Sequence, residues 1–402
     1  MLPTGSICFV RMGRPAPAAY NRREMNRRDT FKSLLAFCAA SPLYSQVISD
    51  DDLMGPINLH EFEAVAKRKM HKLAYDFIAG GVEDELTLQA NRAAYSKHVL
   101  IPRVMVDVST VDTSSVLFGI QMPTPILIAP SGGKNLVLPD ADQVVAKAAL
   151  ASKTLICSAT GVQKIMEAGD PLNWWTNSTG QATKAQATGF ARRVEDQGCK
   201  GIVVTVDNQY QSNRDRNNRN RFDYGYMQSG VPKPDEKRVP RNPAQPAMWQ
   251  PHTPSMTWNQ VEWLRGACKL PVLLKGVLAP EDAAMSVQSG ASGIVVSNHG
   301  GRQLDGVIAT LDALPDVVNA VGGKIPVLMD GGIRRGTDIL KALSYGAKAV
   351  LVGRPPLWGL GAFGQPGVER VLWMLGAELK LAMALAGKPT LASIDRGLVK
   401  RA

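Results

Sequence analysis

Eight short runs of apolar, β-favouring residues constrain the fold of this chain more than any other feature. The runs are Ile126–Ala129, Leu155–Ser158, Trp174–Asn177, Gly201–Asp207, Val272–Gly276, Gly293–Ser297, Val327–Met329 and Ala349–Val352. They are continuously apolar rather than alternating, as expected of parallel strands that are buried on both faces. Because helix-like segments follow these runs, the pattern predicts an α/β fold, a closed (β/α)8 or TIM barrel, rather than an open sheet.

Two further segments complete the predicted barrel domain, which spans residues 50–402. Residues 58–97 carry apolar side chains at helical spacing and predict an N-terminal helical segment. Between Asp207 and Trp258, a stretch rich in proline, asparagine and arginine predicts a long loop after the fourth strand. A long loop of this kind in a compact barrel is typical of a lid or a binding loop.

The first 49 residues form a separate segment. The pair Arg27-Arg28 is followed by Phe31, Lys32 and the short apolar stretch 33–41, a pattern that resembles a twin-arginine export signal. Residues 1–49 are therefore interpreted as a leader, which predicts a periplasmic protein. The alternative is a basic tail that precedes a cytoplasmic enzyme.

Composition and charge exclude several classes of function. The chain has a net charge of +11, yet no zinc finger or other nucleic-acid module is present, so no nucleic-acid partner is predicted. The five cysteines are far apart and contain no CxxC pair, which indicates neither a disulfide framework nor a metal site. No apolar run has membrane-spanning length. An anionic substrate and a phosphorylated cofactor account for part of the positive charge.

Polar residues follow the ends of the last two strands in a pattern that favours phosphate binding. Gly331-Gly332 allows close approach of the backbone to a ligand, and Arg334 can form two hydrogen bonds to phosphate oxygens. Gly353-Arg354 repeats both features after the eighth strand, where barrels commonly bind phosphate. Sugar phosphates, nucleotides and FMN all fit this prediction.

His299 is the candidate general base, because it stands at the end of the sixth strand and a histidine can accept the proton of an alcohol near neutral pH. Asp207, at the end of the fourth strand, is the candidate partner that raises the basicity of His299. Arg302, three residues after His299, offers a bidentate contact to a substrate carboxylate.

The segment Ser297-Asn-His-Gly-Gly-Arg-Gln-Leu-Asp305 resembles the hallmark of the FMN-dependent 2-hydroxy-acid oxidases and dehydrogenases, which include glycolate oxidase and lactate oxidase. The segments 330–338 and 352–355 match the FMN-phosphate motifs of that family, and the resemblance runs from about residue 58 to the C-terminal end. It implies oxidation of an (S)-2-hydroxy acid to the 2-oxo acid, with the α-hydrogen passing to flavin N5 while His299 takes the hydroxyl proton.

The resemblance also implies a role for each matching residue. The catalytic residues are His299, Asp207 and Lys275, and the carboxylate is bound by Arg302 and Arg214. FMN is bound by Ser131, Ser158, Thr205, Lys275, Ser297, Asp330, Gly332, Arg334, Gly353 and Arg354, with Cys157 as the alternative to Ser158. A homo-oligomer is implied as well, whereas the electron acceptor, whether oxygen, a quinone or a cytochrome, stays open.

Four positions depart from the family pattern. Phe77 stands where the family has a substrate-binding tyrosine, and Gly132 where many members have alanine. Thr176 and Ser178 are aligned with a flavin-binding glutamine and a substrate-binding tyrosine at the end of the third strand. The loss of the two phenols, at Phe77 and Ser178, predicts weaker carboxylate binding or a pocket for a bulkier, less polar substrate, whereas Gly132 bears on the reactivity with oxygen. The departures also leave two alternatives: another flavin chemistry, such as an isomerase, or a flavin-binding protein without catalysis.

Overall fold

The computed structural model of this protein describes residues 51–159, 165–231 and 251–402. The interpretation of residues 1–49 as an export leader falls outside the described residues and stays a prediction. Within the described part of the chain, no helix is both long and apolar enough to cross a membrane.

The eight predicted strands form a closed barrel. Their bounds are Ile126–Ile128 (β1), Ile156–Ser158 (β2), Trp174–Ser178 (β3), Ile202–Thr205 (β4), Val272–Val277 (β5), Gly293–Val296 (β6), Val327–Met329 (β7) and Ala349–Val352 (β8). Each strand pairs in parallel with the next one along the chain, and β8 pairs with β1 to close the ring. The predicted TIM barrel is therefore confirmed.

Alternate residues of the strands fill the barrel interior. Trp175 and Val203, for example, are fully buried in one cluster that includes residues of all eight strands. Successive side chains of a strand point to opposite faces, so the residue two positions further along also points into the barrel. It lies nearer to the carboxyl end of the strand. This alternation places Asn177 and Thr205 at that end, where active sites of this fold lie.

Helices surround the barrel and extend it at both ends. They are Leu59–Lys69 (α1), Lys72–Ala79 (α2), Leu86–Lys97 (α3), Ala141–Ala151 (α4), Lys184–Asp196 (α5), Asp215–Arg219 (α6), Tyr226–Ser229 (α7), Asn259–Arg265 (α8), Pro280–Gln288 (α9), Thr310–Val321 (α10), Gly336–Ser344 (α11) and Arg354–Leu385 (α12). The predicted N-terminal helical segment is confirmed as α1 to α3. Helix α12 is kinked at Phe363 and Gly364, where the backbone angles are not helical.

Two small antiparallel sheets lie outside the barrel. His98–Leu100 pairs with Val399–Arg401, and Ser115–Leu117 forms a hairpin with Ile120–Met122. Leu117, Ile120 and Met122 pack into the same apolar cluster as the barrel interior. The hairpin thus adds apolar side chains to the barrel core.

The predicted loop after β4 carries structure in its described parts. Helices α6 and α7 belong to it, and Arg216 of α6 forms an ion pair with Glu85, which precedes α3. Asn220 donates a hydrogen bond of 2.7 Å to Asp76 of α2. This part of the segment is therefore attached to the N-terminal helices.

Candidate active site

A cavity of about 440 Å³ opens at the carboxyl ends of the barrel strands. Most of the side chains and glycines singled out in the sequence line it: Ser131, Thr205, Arg214, Lys275, His299, Arg302, Asp330, Gly332, Arg334, Gly353 and Arg354. Its volume lies within the range of about 300–1,000 Å³ that is usual for sites of small molecules and cofactors. The sequence-based choice of this end of the barrel agrees with the structure.

His299 and Asp207 form a pair at the wall of this cavity. The distance between His299 Nδ1 and Asp207 Oδ1 is 3.1 Å, and the backbone N–H of His299 donates to Ser297 Oγ at 3.1 Å. Gly276 makes room for this pair, because a Cβ at that position would lie 2.6 Å from Asp207 Cγ. With Nδ1 donating to the carboxylate, Nε2 of His299 is the nitrogen that can accept a proton.

The surroundings of this pair favour a neutral histidine beside an ionised aspartate. Burial lowers the pKa of His299 below its usual 6.5, and the charges of Lys275 and Arg214 lower it further, although Asp207 acts in the opposite direction. Burial alone would raise the pKa of Asp207, but His299 and Lys275 outweigh it, so this pKa is lowered. A neutral imidazole that faces a cavity is in the protonation state of a general base.

We expect the rate of the hydroxy-acid oxidation that the sequence resemblance implies to follow the protonation of His299. Since the pKa of His299 is lowered from 6.5, kcat/KM should be constant above about pH 7 and fall about tenfold per pH unit on the acid side of that pKa. Replacing Asp207 by Asn removes the charge that raises the pKa of His299, so the acid limb should move to still lower pH. Initial rates between pH 4.5 and 9 with an artificial electron acceptor test this expectation, and an acid limb centred above pH 6.5 would contradict it.

Lys275 lies fully inside the barrel mouth and connects two other candidate residues. Its Nζ donates to Ser297 Oγ at 2.9 Å and forms an ion pair of 3.4 Å with Asp330 Oδ2. Burial disfavours the ammonium ion, but Asp330 and Asp207 more than compensate, and the pKa of Lys275 is raised. Lys275 therefore carries a fixed positive charge into the cavity wall.

Two arginines are held by main-chain carbonyls at the end of helix α2. Arg302 donates through Nη1 to the carbonyl oxygens of Phe77 at 2.7 Å, Ile78 at 3.2 Å and Gly80 at 2.9 Å. Arg354 donates to Ile78, Gly80 and Gly300, each at 2.9 Å. The C-terminal end of a helix carries partial negative charge, which suits guanidinium groups.

The cavity wall has an excess of positive charge. Burial lowers the pKa values of Arg214, Arg302, Arg334 and Arg354, and repulsion from neighbouring arginines lowers those of Arg302 and Arg354 further. Within the described ranges, no carboxylate forms an ion pair with any of these four residues. Buried and half-buried positive charges without a counter-ion are costly, so the arrangement favours bound anions.

The comparison with known protein families identifies the family of this chain. The model of the family described as FMN-dependent dehydrogenase matches residues 66–401. The chain belongs to the FMN-dependent dehydrogenase family. Members similar to it include the peroxisomal (S)-2-hydroxy-acid oxidase GLO4 of Oryza sativa subsp. japonica, which is 39% identical over 351 residues, or 86% of this chain and 96% of that protein. The L-lactate oxidase of Nostoc sp. is 40% identical over 356 residues, covering 85% of this chain and 98% of the relative.

Solved structures of the family agree with the fold. The crystal structure of mandelate oxidase has a TM-score of 0.77 and 37% sequence identity to this chain, over 86% of this chain and 99% of that one. A structure of mandelate oxidase with benzoyl-formic acid gives a TM-score of 0.76 at the same identity and coverage.

The residues around the cavity fit the cofactor that the family uses. Arg334 and Arg354 provide guanidinium groups for a phosphate. A Cβ at Gly353 would contact only Ser131 Oγ at 3.7 Å and Ala129 Cβ at 3.8 Å, so this glycine leaves open space beside the two arginines. Asp330 Oδ1 is buried and has no hydrogen-bond partner among the described residues, as expected of a group that faces a ligand.

Gly332 is required by packing, independently of its predicted contact with FMN. Its φ is +75°, and a Cβ there would lie 2.3 Å from the carbonyl oxygen of Asn91 in α3. A glycine is thus required by the packing of α3 against the loop after β7, whether or not the backbone approaches a phosphate.

The structure places Ser158 outside the cavity lining, and its predicted contact with FMN stays a prediction. Ser158 is buried, but it does not line the cavity, whereas Ala159 does. Leu155, just before β2, and Cys157 within it face the barrel interior. The alternation of a strand therefore turns Ser158 to the opposite face. The alternative residue, Cys157, faces inward but lies in the apolar core below the cavity.

The alignment at the end of β3 was wrong by one residue. Trp175 faces the interior, so Thr176 and Ser178 face away from it, and Asn177 and Thr179 line the cavity instead. Asn177 accepts a hydrogen bond of 2.6 Å from Thr205. The cavity therefore receives an amide at this strand, a group that the sequence argument had counted as lost.

The cavity residues that were missed in the sequence include Tyr224, His252 and Gln211. All three belong to the long segment after β4, in which no strand alternation shows which residues face the barrel. Asp207 and Ser297 do not line the cavity; they lie behind its wall, in contact with His299 and Lys275. The predicted contact of Ser297 with FMN stays a prediction.

Proposed function

We propose that this protein binds FMN and oxidises an (S)-2-hydroxy acid to the corresponding 2-oxo acid. The observation that carries the proposal is the pair His299–Asp207, 3.1 Å apart at the wall of the cavity that Arg302 and Arg214 also line. Neither arginine has a carboxylate partner among the described residues. A base and an anion-binding pair are the two functions that oxidation of a hydroxy acid requires of the protein.

His299 removes the hydroxyl proton of the substrate through Nε2. The positive charge that forms on the imidazole is stabilised by Asp207, which is ionised and accepts from Nδ1. The geometry is that of a base held in one tautomer by a buried carboxylate. A flavin-binding protein without catalysis would have no need of this pair, which favours an enzyme.

Arg302 and Arg214 bind the substrate carboxylate. Arg302 commits only Nη1 to main-chain carbonyls, which leaves its Nη2 and Nε for a ligand. Arg214 is fixed by a hydrogen bond of 2.9 Å from Nε to Ser212 Oγ. A carboxylate bound by two such groups places the hydroxyl-bearing carbon at a fixed distance from the base.

FMN, when bound, supplies the acceptor for the α-hydrogen and its electron pair. Arg334, Arg354 and Gly353 would hold its phosphate, and Thr205, Asn177 and Ser131 offer polar groups to the ring. Lys275 provides a positive charge, fixed by Asp330, that stabilises negative charge on the reduced ring.

The side chain of the substrate is expected to meet polar groups. Asn177, Thr179, Asn208, Gln211 and His252 all line the cavity. These side chains offer hydrogen bonds beyond the carboxylate site, which favours a polar substrate over the bulkier, less polar one predicted from Phe77 and Ser178.

The proposal is tested by adding hydroxy acids to the purified protein without oxygen and recording the visible spectrum. The panel contains short aliphatic, aromatic and polar (S)-2-hydroxy acids together with their (R)-enantiomers. We expect one class of (S)-acid to remove the flavin absorbance. A protein that binds FMN stoichiometrically but is reduced by none of the acids would contradict the proposed reaction.

We also propose that residues 1–49 direct export by the twin-arginine pathway, on the basis of Arg27-Arg28 and the apolar stretch after them. In a bacterium with this pathway, the native chain should reach the periplasm, and the variant R27K/R28K should stay in the cytoplasm. Equal cytoplasmic retention of both proteins would contradict the proposal. The change leaves net charge and length unaltered, so a difference in location between the two proteins is due to the arginine pair.

A further inference from the structure

Tyr224 lies at the substrate side of the cavity but has no role in the mechanism described so far. It belongs to the segment between α6 and α7 and lines the cavity together with Arg214 and Arg302. Its ring meets the ring of Phe77 edge-on, with 6.3 Å between centroids. The guanidinium carbons of Arg302 and Arg214 lie 5.1 Å and 5.8 Å from the centre of the same Phe77 ring.

The hydrogen bonds of Tyr224 leave its proton free for a ligand. Gln211 Nε2 donates to the phenol oxygen, and Asn217 Nδ2 approaches the same oxygen at 3.5 Å. The other end of the Gln211 amide, Oε1, lies 3.2 Å from His252 Nε2, which fixes the orientation of this amide. A phenol has one donor and two acceptor sites. Because both neighbouring amides donate, the phenol can only donate elsewhere, and no described residue accepts from it.

We propose that Tyr224 donates its phenolic proton to the substrate carboxylate that Arg302 and Arg214 bind. This inference rests on the proposed oxidation of a 2-hydroxy acid. Phe77 has no hydroxyl, and its ring forms an apolar surface around which the two guanidinium groups and the phenol converge. The three groups supply donors from different directions to one anion, and both arginines lack a carboxylate partner within the described chain.

The electrostatics of the two arginines agree with this placement. Burial lowers the pKa of Arg214 and of Arg302, and repulsion from neighbouring arginines lowers that of Arg302 further. A neutral donor at this position binds the anion without adding a further positive charge to a wall that already has several.

The test compares the FMN-loaded enzyme with the variants Tyr224→Phe and Tyr210→Phe. Tyr210 is the matched control, because it belongs to the same segment and is 51% exposed. The probe is oxalate, a dicarboxylate without an α-hydrogen, titrated against the change in flavin absorbance. We expect Y224F to weaken oxalate binding by about 10- to 100-fold, as for loss of a hydrogen bond to a charged group. Y210F should bind oxalate within twofold of the native enzyme.

Turnover gives a second readout that a packing defect would not reproduce. A hydrogen bond to the carboxylate exists in both the bound substrate and the transition state, so Y224F should raise KM and leave kcat nearly unchanged. Native-like oxalate binding by Y224F, or an equal loss in Y210F, would overturn the inference. If only the inference about Tyr224 fails, the native enzyme still reduces its flavin with a hydroxy acid. If the proposed function fails, the flavin of the native enzyme is not reduced at all.

Discussion

Replacing His299 by Asn should lower the rate of hydroxy-acid oxidation by about 10²- to 10⁴-fold, the usual contribution of a general base. Of the two histidines that line the cavity, His299 is the one that pairs with a carboxylate, at 3.1 Å from Asp207. Asparagine is the appropriate replacement because His299 has a φ of +58°, a conformation that asparagine tolerates better than most residues. The rate is measured as anaerobic loss of flavin absorbance in stopped flow.

His252 provides the control for this variant, since it lines the same cavity but contacts Gln211 instead of a carboxylate. His252→Asn should retain a rate within about tenfold of the native enzyme, because its role is positional. FMN content must be equal in all three proteins. If H299N oxidised the substrate at the native rate, the assignment of the base would be wrong.

Replacing Lys275 by Met should destabilise the protein by about 3–5 kcal/mol, the usual effect of removing one partner of a buried ion pair. Lys275 and Asp330 are both buried, and their charged atoms are 3.4 Å apart. Without the lysine, Asp330 keeps a charge inside the barrel mouth with no compensating cation on that oxygen. We expect a drop of several degrees in Tm together with weaker retention of FMN.

The double variant K275M/D330N distinguishes the effect of an unpaired Asp330 charge on Tm from the effect of the changed side-chain shape. It removes both members of the pair, so it should regain a large part of the Tm that K275M loses. Lys348→Met, at an exposed position before β8, is the control and should change the Tm little. A K275M protein with native Tm would show that the buried pair does not hold this end of the barrel together.

The barrel could be predicted from the sequence because each strand is a short, continuous apolar run with a helix-like segment after it. The His299 and Asp207 pair followed from the same pattern, since both residues stand just beyond a strand end and the ends of parallel strands meet. The structure places them 3.1 Å apart. Strand periodicity is thus enough to bring distant residues together when the fold is a barrel.

The direction of individual side chains was harder to predict where a strand is polar at its end. Ser158, Thr176 and Ser178 each stand one position away from a residue that lines the cavity, and a shift of one residue in a strand moves a side chain to the other face. The burial of Trp175 in the interior would have corrected the third strand, because Asn177 is two residues further on. Both faces of a parallel strand are buried, so apolarity alone does not distinguish the inner face from the outer.

The segment after β4 could not be predicted beyond its length. Tyr224 reaches the cavity through contacts with Phe77 and Phe222, which are distant in sequence from each other. Tertiary contacts of this kind have no periodic signal, and the residues that they place in the site become visible only in the structure. The segment after β4, which has no periodic pattern, therefore supplies residues around the substrate that the sequence does not predict.

A single anaerobic turnover measures the proposed oxidation itself. The FMN-loaded protein is mixed with the (S)-2-hydroxy acid that reduces it, and both the reduced flavin and the 2-oxo acid are quantified. We expect one 2-oxo acid per FMN reduced, with both products formed about 10²- to 10⁴-fold more slowly in H299N. Flavin that stays oxidised with every acid, or flavin that is reduced without formation of a 2-oxo acid, would contradict the proposed function.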